Sequence, residues 1–187
     1  MRKIVYSMSV SLDGFMEGPN HDIDWHRVDE ELHLHFNEWL GTMGAFLSGR
    51  VTHQLMADFW PTADADPAST AAMVEFAGIW RDMPKIVFSR TLERADWNTT
   101  IKRDVMVEEI RALQAEPGGD LVLGGADLAA TFRRLDLIDE YRVYVHPVLI
   151  GRGRPMFRPM EGTTDLRLAE TRGFGNGVVL LHYAARR

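Results

Sequence analysis

The chain has 187 residues, a formal net charge of −6 and no cysteine. That length fits one domain over residues 1–187, large enough to bury a core without disulfide staples. Disulfides, thiolate metal sites and cysteine nucleophiles are excluded. The negative charge opposes a nucleic-acid or anionic-membrane surface, so any bound polyanion must be small and met by local positive groups.

The chain opens on "KIVYSMSV" (3–10), mostly apolar, which predicts a central strand. Ser7, Ser9 and Ser11 interrupt this run and Asp13 follows without a small-residue cleavage site, so a cytoplasmic protein is expected. Residues 11–25 are rich in turn signals, notably Asp13-Gly14 and Gly18-Pro19-Asn20. Residues 28–40 place Val28, Leu32, Phe36 and Trp39 on one helical face. "AFLSG" (45–49) predicts a short buried strand, and residues 51–60 a helix stopped by Pro61. Residues 70–83 predict a helix, 85–89 a strand, 105–115 a helix, 120–125 a strand and 126–136 a helix. Residues 140–150 read as a long strand, and two last strands flank the hairpin signal Gly175-Asn176-Gly177. Strands alternating with helices, then an antiparallel end, predict an α/β fold with a mixed sheet.

Three strand ends share a feature. "AFLS" runs into Gly49-Arg50 and a helix, "KIVF" into Ser89-Arg90, and "LVL" into Gly124-Gly125 and a helix. Ligands of α/β sheets bind outside the carboxyl ends of strands, and helix N-termini offer free N–H groups to phosphates. Glycine lets backbone approach the anion closely. Arg50 at a helix start opposes the helix dipole, which a bound anion explains. The three ends together favour a nucleotide-like ligand. No metal site is signalled: His33 and His35 diverge on a helix, and no His-Glu-x-x-His pattern exists. His146, ahead of Pro147, reads as structural.

In order, "SLDGFMEG", "FLSGRVTH", "KIVFSRTL", "LVLGGADLAATF" and "IDEYRVYVHPVLIGRGRPMF" resemble the dihydrofolate reductase-like family. The closer resemblance is to the reductase C-terminal domain of the bifunctional riboflavin-biosynthesis deaminase-reductase, in a stand-alone form covering nearly the whole chain. The resemblance implies a three-layer fold with a mixed, mostly parallel sheet of about eight strands and an antiparallel C-terminal hairpin. It implies an NADPH-dependent reductase of a small heterocycle, a pterin or a 5-amino-6-ribosylamino-uracil-like pyrimidine. An NADP-binding module that has lost catalysis is the alternative. Gly49, Arg50, Val51 and Thr52 would meet the cofactor's phosphates, and Ser89 and Arg90 its 2′-phosphate. Gly124, Gly125, Ala126 and Asp127 would hold the pyrophosphate through backbone N–H groups. No zinc-ligand spacing of a deaminase domain is present. Relatives commonly pair through the late strand 140–150 and the final hairpin, so a homodimer is expected.

Reducing a C=N or C=C bond needs a proton as well as a hydride. By resemblance, Trp25 matches a loop tryptophan that precedes a helix carboxylate, leaving Asp29, Glu30 and Glu31 as candidate acids. Counting from Trp25 favours Glu30. The helical face favours Asp29, which would lie close to the apolar stripe while Glu30 points away. Asp13 is either a turn residue or, as the closer family suggests, a substrate contact and further proton source, with Trp25 beside the substrate.

Overall fold

The apolar stretch that opens the chain becomes the middle of the fold. In the computed structural model, which describes residues 1–186, the elements in chain order are β1 (Ile4–Ser11), β2 (Phe15–Glu17), α1 (Glu30–Leu40), β3 (Ala45–Gly49), α2 (Arg50–Phe59) and α3 (Ala71–Asp82). They continue as β4 (Lys85–Phe88), β5 (Thr99–Lys102), α4 (Val107–Ala115), β6 (Leu121–Leu123) and α5 (Ala126–Arg134). The chain closes with β7 (Glu140–His146), β8 (Arg154–Pro155), β9 (Leu166–Gly173) and β10 (Val179–Ala185).

Eight strands form one sheet in the order β5-β4-β3-β6-β1-β7-β10-β9. The first six run parallel, while β10 is antiparallel to both β7 and β9, giving the expected C-terminal hairpin. β2 and β8 make a separate antiparallel ribbon. Period-two alternation along β7 divides the core between the two faces of the sheet. Tyr141, Val143 and Val145 join the cluster of Ile4, Tyr6, Leu47, Leu121 and Leu123, which α4 and α5 cover with Ile110, Ala129 and Phe132. Tyr144 points the other way, where Leu32 and Phe36 of α1 pack over it and Leu180. The result is the expected three-layer arrangement.

Three strands escape the sequence signals. β2 and β8 are too short to show a period, and β5 ("TTIK") is a polar edge strand. β7 is shorter than expected because it stops at His146, and Pro147 has no N–H for a ladder. Nor does β7 form an edge: β1 and β10 pair with it on either side. The free edge on that side is β9, exposed along nearly its whole length.

Candidate active site

Strand register sets the three glycine- or serine-tipped ends side by side. Gly49 of β3 lies opposite Phe88 of β4, and Leu47 opposite Leu123 of β6. The Leu47 carbonyl also accepts the Gly124 N–H at 2.9 Å. Since β4, β3 and β6 are consecutive in the sheet, Ser89-Arg90, Gly49-Arg50 and Gly124-Gly125 leave its carboxyl edge as neighbours. Two of these ends run straight into helices. Gly49 is the N-cap of α2 and Gly125 that of α5, and neither terminus has a side-chain cap. Their first backbone N–H groups therefore keep their hydrogen-bonding capacity for a ligand.

Thr52 ties the two helix starts together. Gly125 has φ +90°, and a Cβ built there would lie 2.8 Å from Thr52 Oγ1. A Cβ on Gly124 would reach the Thr52 methyl at 3.8 Å, whereas one on Gly49 would meet nothing within 4 Å. Backbone is thus bare on one side of the turn and only glycine is accommodated on the other. This cradle fits a group with several phosphate oxygens.

The charged residues around it have partners of their own. Arg50 and Val51 are exposed, and Arg50 Nη1 donates to Gln54 Oε1 at 2.9 Å, one helical turn on. Ser89 is buried and its hydroxyl accepts the N–H groups of Thr91 at 3.2 Å and Leu92 at 2.9 Å, so it shapes the turn. Arg90 is exposed and donates through Nε and Nη2 to Asp104 Oδ1 at 3.0 and 2.6 Å. Ala126 is buried at the start of α5. The Asp127 carboxylate pairs with Arg154 at 2.8 Å and with Arg158. Arg154 also reaches the buried Glu17 at 2.9 Å, so the β2–β8 ribbon is fastened to the first turn of α5.

The other candidates gather at the ends of β1 and β7, where Ser11 lies opposite His146. Asp13 accepts the N–H of Gly151 at 2.8 Å and of Ile150 at 3.3 Å. The Ser11 hydroxyl, aided by those backbone groups, holds the Asp13 carboxyl below the usual carboxylate range, so at neutral pH it is an anion. The half-buried Trp25 donates Nε1–H to the Asp22 carbonyl at 3.1 Å. Asp29 lies outside the helix. It is the N-cap of α1, with extended backbone, and its Oδ1 accepts the Leu32 N–H at 3.0 Å. Asp29 and Glu30 are both exposed, so the helical-face ranking loses its premise: the helix begins one residue after Asp29. Glu31 points elsewhere, accepting the Gly175 N–H at 3.0 Å from the β9–β10 turn.

A profile of the RibD C-terminal domain matches residues 2–180. The chain belongs to the RibD C-terminal domain family. YyaP of Bacillus subtilis, itself uncharacterized, is 34% identical over 183 residues, covering 97% of this chain and 94% of its own. Among solved structures, a stand-alone chain from Shewanella sp. PV-4 named for riboflavin biosynthesis matches with TM-score 0.76 and 21% identity, each chain covered completely. The diaminohydroxyphosphoribosylaminopyrimidine deaminase/5-amino-6-(5-phosphoribosylamino)uracil reductase of Thermotoga maritima gives TM-score 0.66 and 16% identity over 99% of this chain and 57% of its own. Dihydrofolate reductase of Enterococcus faecalis, complexed with NADP(H), gives 0.65 and 14% over 99% and 97%. The fold of this RibD C-terminal domain protein is therefore the dihydrofolate reductase-like one.

Residues that sequence reasoning passed over stand around the same edge of this RibD C-terminal domain. Arg103 clamps the Ser89 turn by donating to the carbonyls of Ser89 at 3.0 Å and Leu92 at 2.8 Å. Glu17, Arg154 and Arg158 lie in or near the motifs that carry the resemblance, yet the pairs Arg154–Glu17 and Arg158–Asp127 join segments far apart in sequence. His146, read as structural, is fully buried and stacks on His26, with ring centroids 5.1 Å apart. No local pattern announces that pair.

Proposed function

We propose that this RibD C-terminal domain protein is an NADPH-dependent reductase of a small heterocycle, a pyrimidine of the 5-amino-6-ribosylamino-uracil type or a pterin. The observation that carries the reading is the convergence of the uncapped N-termini of α2 and α5 on adjacent strand ends, with Thr52 between them. When bound, the cofactor supplies a hydride. Backbone N–H groups at Ala126 and Asp127 hold its pyrophosphate, with Gly124 and Gly125, whose own N–H groups go to the Leu47 carbonyl and to Met8 Sδ, letting the backbone come close to it, and Gly49, Arg50, Val51 and Thr52 meet the phosphates from the α2 side. Ser89 fixes the turn from which Arg90 takes the 2′-phosphate. Asp13, an anion, accepts hydrogen bonds from ring N–H or amino groups of the substrate, and Trp25 bounds the same pocket. Asp29 and Glu30 are the carboxylates to test as proton source; Asp13, being ionised, serves as anchor rather than acid.

The family supports a reductase, and the pyrimidine class follows the T. maritima neighbour's name. The test is direct titration of the protein with NADPH by fluorescence, followed by mixing the complex with pyrimidine and pterin acceptors and recording loss of the reduced nicotinamide. Micromolar binding and acceptor-dependent oxidation are expected. Absence of NADPH binding would sink the proposal. Binding without oxidation by any acceptor would replace it with a binding module of the same fold.

A further inference from the structure

Arg154 reaches both halves of the proposed site at once. Its Nε lies 2.9 Å from Glu17 Oε1 and its Nη1 2.8 Å from Asp127 Oδ2. Glu17 closes β2, four residues after the substrate anchor Asp13, and Asp127 lies in the first turn of α5, two residues after Gly125. Arg158 pairs with the other oxygen of Asp127, and His21 Nδ1 with the other oxygen of Glu17 at 2.9 Å. His21, Glu17, Arg154, Asp127 and Arg158 thus form one row of partners, running from the substrate loop to the helix of the cofactor cradle.

The ribbon between these ends has little to hold it by itself. β2 has three residues and β8 two, they form a sheet apart from the main one, and Pro155 has no N–H to give the ladder. An isolated two-stranded ribbon is marginally stable in water. Yet this ribbon positions Asp13. Leu12 donates its N–H to the Val148 carbonyl at 2.8 Å, Met156 to the Gly14 carbonyl at 3.0 Å, and Gly151 to Asp13 itself at 2.8 Å. Its order needs braces from outside, and the Arg154 bridge is one. The Glu17 side chain is only 10% exposed, so its charge depends on the partners it has. Asp127 meets a different difficulty. Its carboxylate stands in the first turn of α5, where a bound pyrophosphate would face it as a like charge. Arg154 and Arg158 neutralise that charge and leave the backbone N–H groups of the turn for the ligand.

We propose that Arg154 is a positioning residue that couples the two halves of the site. By bridging Glu17 and Asp127 it fixes the loop carrying Asp13 against the helix that receives the cofactor, so that cofactor binding orders the substrate loop. A guanidinium suits this task, because its planar fork addresses two carboxylates in set directions, whereas a lysine ammonium is a point charge on a flexible stem. Hydride transfer requires reacting atoms held about 3–3.5 Å apart, so the spacing of cofactor and substrate anchor has to be set by contacts that span both. By linkage, whatever order the cofactor adds to the loop, an ordered loop returns as cofactor affinity. The cofactor half of the proposal rests on the reductase reading; the brace between the ribbon and α5 does not.

The test is amide hydrogen exchange of the full chain, which needs no turnover. It is read at Leu12, Gly151 and Met156 in the ribbon, and at Leu121 in the main sheet, whose N–H goes to the Lys3 carbonyl at 2.8 Å, as control. In the parent chain, saturating NADPH should slow exchange at the ribbon amides about tenfold and leave Leu121 unchanged. Asp127→Ala cuts the brace at its exposed end and keeps the backbone N–H. It should quicken ribbon exchange in the free protein about tenfold, the equivalent of one charge-assisted bond, and abolish most of the slowing by NADPH. Arg154→Lys separates charge from position: NADPH affinity should stay within about threefold of the parent while ribbon exchange remains fast. Arg154→Gln should lose both, and if it does not fold, Asp127→Ala and Arg154→Lys decide. Unaltered ribbon exchange in Asp127→Ala, or full protection by NADPH in Arg154→Lys, would overturn the proposal and leave the reductase reading standing. Failure of NADPH to bind the parent chain would remove that reading and the coupling together, while Asp127→Ala still decides whether Arg154 braces the ribbon.

Discussion

Gly125→Ala is the sharpest probe of the cradle. Gly125 has φ +90° and ψ 132°, a conformation close to those that glycine alone adopts readily, and holding an L-residue there costs about 1–3 kcal/mol. The new methyl would also start 2.8 Å from Thr52 Oγ1, so the threonine must shift, which brings the expected loss to about 2–4 kcal/mol. Against a typical domain stability of about 5–15 kcal/mol the protein should still fold. Thr52→Ala in the same chain removes the collision and leaves the strain, so roughly 1 kcal/mol should return. Gly78→Ala is the control: it lies within α3 with nothing within 4 Å of its would-be Cβ, and alanine there should stabilise by about 0.5–1 kcal/mol. Urea unfolding at constant m gives the energies, and NADPH titration of the folded variants should show binding weakened at least about tenfold by Gly125→Ala. A Gly125→Ala protein within about 0.5 kcal/mol of the parent, or no recovery from Thr52→Ala, would refute the steric argument.

Arg90→Ala should weaken NADPH about tenfold or more while barely moving NADH, a contrast that shrinks at high salt; equal losses for both would remove Arg90 from the 2′-phosphate. Asp29→Ala should cost about 0.5–2 kcal/mol by uncapping α1, whereas Asp29→Asn keeps the cap, so a fall in kcat confined to Asp29→Asn and absent from Glu30→Gln would make Asp29 the proton source, and the reverse would make it Glu30. The His182 imidazole, with Lys3, holds Glu140 down at about 2 instead of 4.5, through bonds of 2.8 and 2.6 Å. The unfolded chain therefore takes up this proton first: the pair's stability is whole above pH 4.5 and is lost as pH falls toward 2. Glu140→Gln should flatten acid unfolding across that window by about 1–3 kcal/mol after solvent screening, and an unchanged profile would contradict it. A homodimer through the β9 edge should scatter at twice 21.2 kDa, with Leu168→Lys returning the monomer; a monomer at micromolar concentration excludes it.

How much was legible in the chain follows from how local each signal is. Strand ends that run into glycine and then helix are written in consecutive residues, and β4, β3 and β6 carry them to adjacent places because parallel register lines up their carboxyl ends. The helical-face ranking of the candidate acids lost its premise for a reason that the sequence already carried. Apolar periodicity locates the axis of α1 but not its first residue, and Asp29 ahead of Glu30-Glu31 is itself a capping signal that the face argument overrode. β5 was missed because an edge strand has little to bury, and β2 and β8 because a few residues show no period. The His26–His146 pair and the Arg154–Asp127 clamp join loops to distant strands and helices, and only the folded chain brings them together.

The acidic composition and the proposed anion site are compatible because such a site would draw little on net charge. Its central attraction is two sets of backbone N–H groups at uncapped helix starts, which no count of lysines and arginines registers. The arginines at its rim are held by neighbours: Arg50 by neutral Gln54, Arg90 by Asp104. An exposed pair such as Arg90–Asp104 contributes about 0–1 kcal/mol, whereas a charge-assisted bond to phosphate is worth about 1.5–3 kcal/mol. A phosphate at the Ser89 turn would therefore take Arg90 from Asp104. Asp104→Asn should then strengthen NADPH binding by no more than about fivefold, the equivalent of the pair it releases, and leave NADH unchanged. A gain common to both cofactors would mean that Asp104 acts only as a distant negative charge, and an unaltered affinity would mean that Arg90 never leaves it.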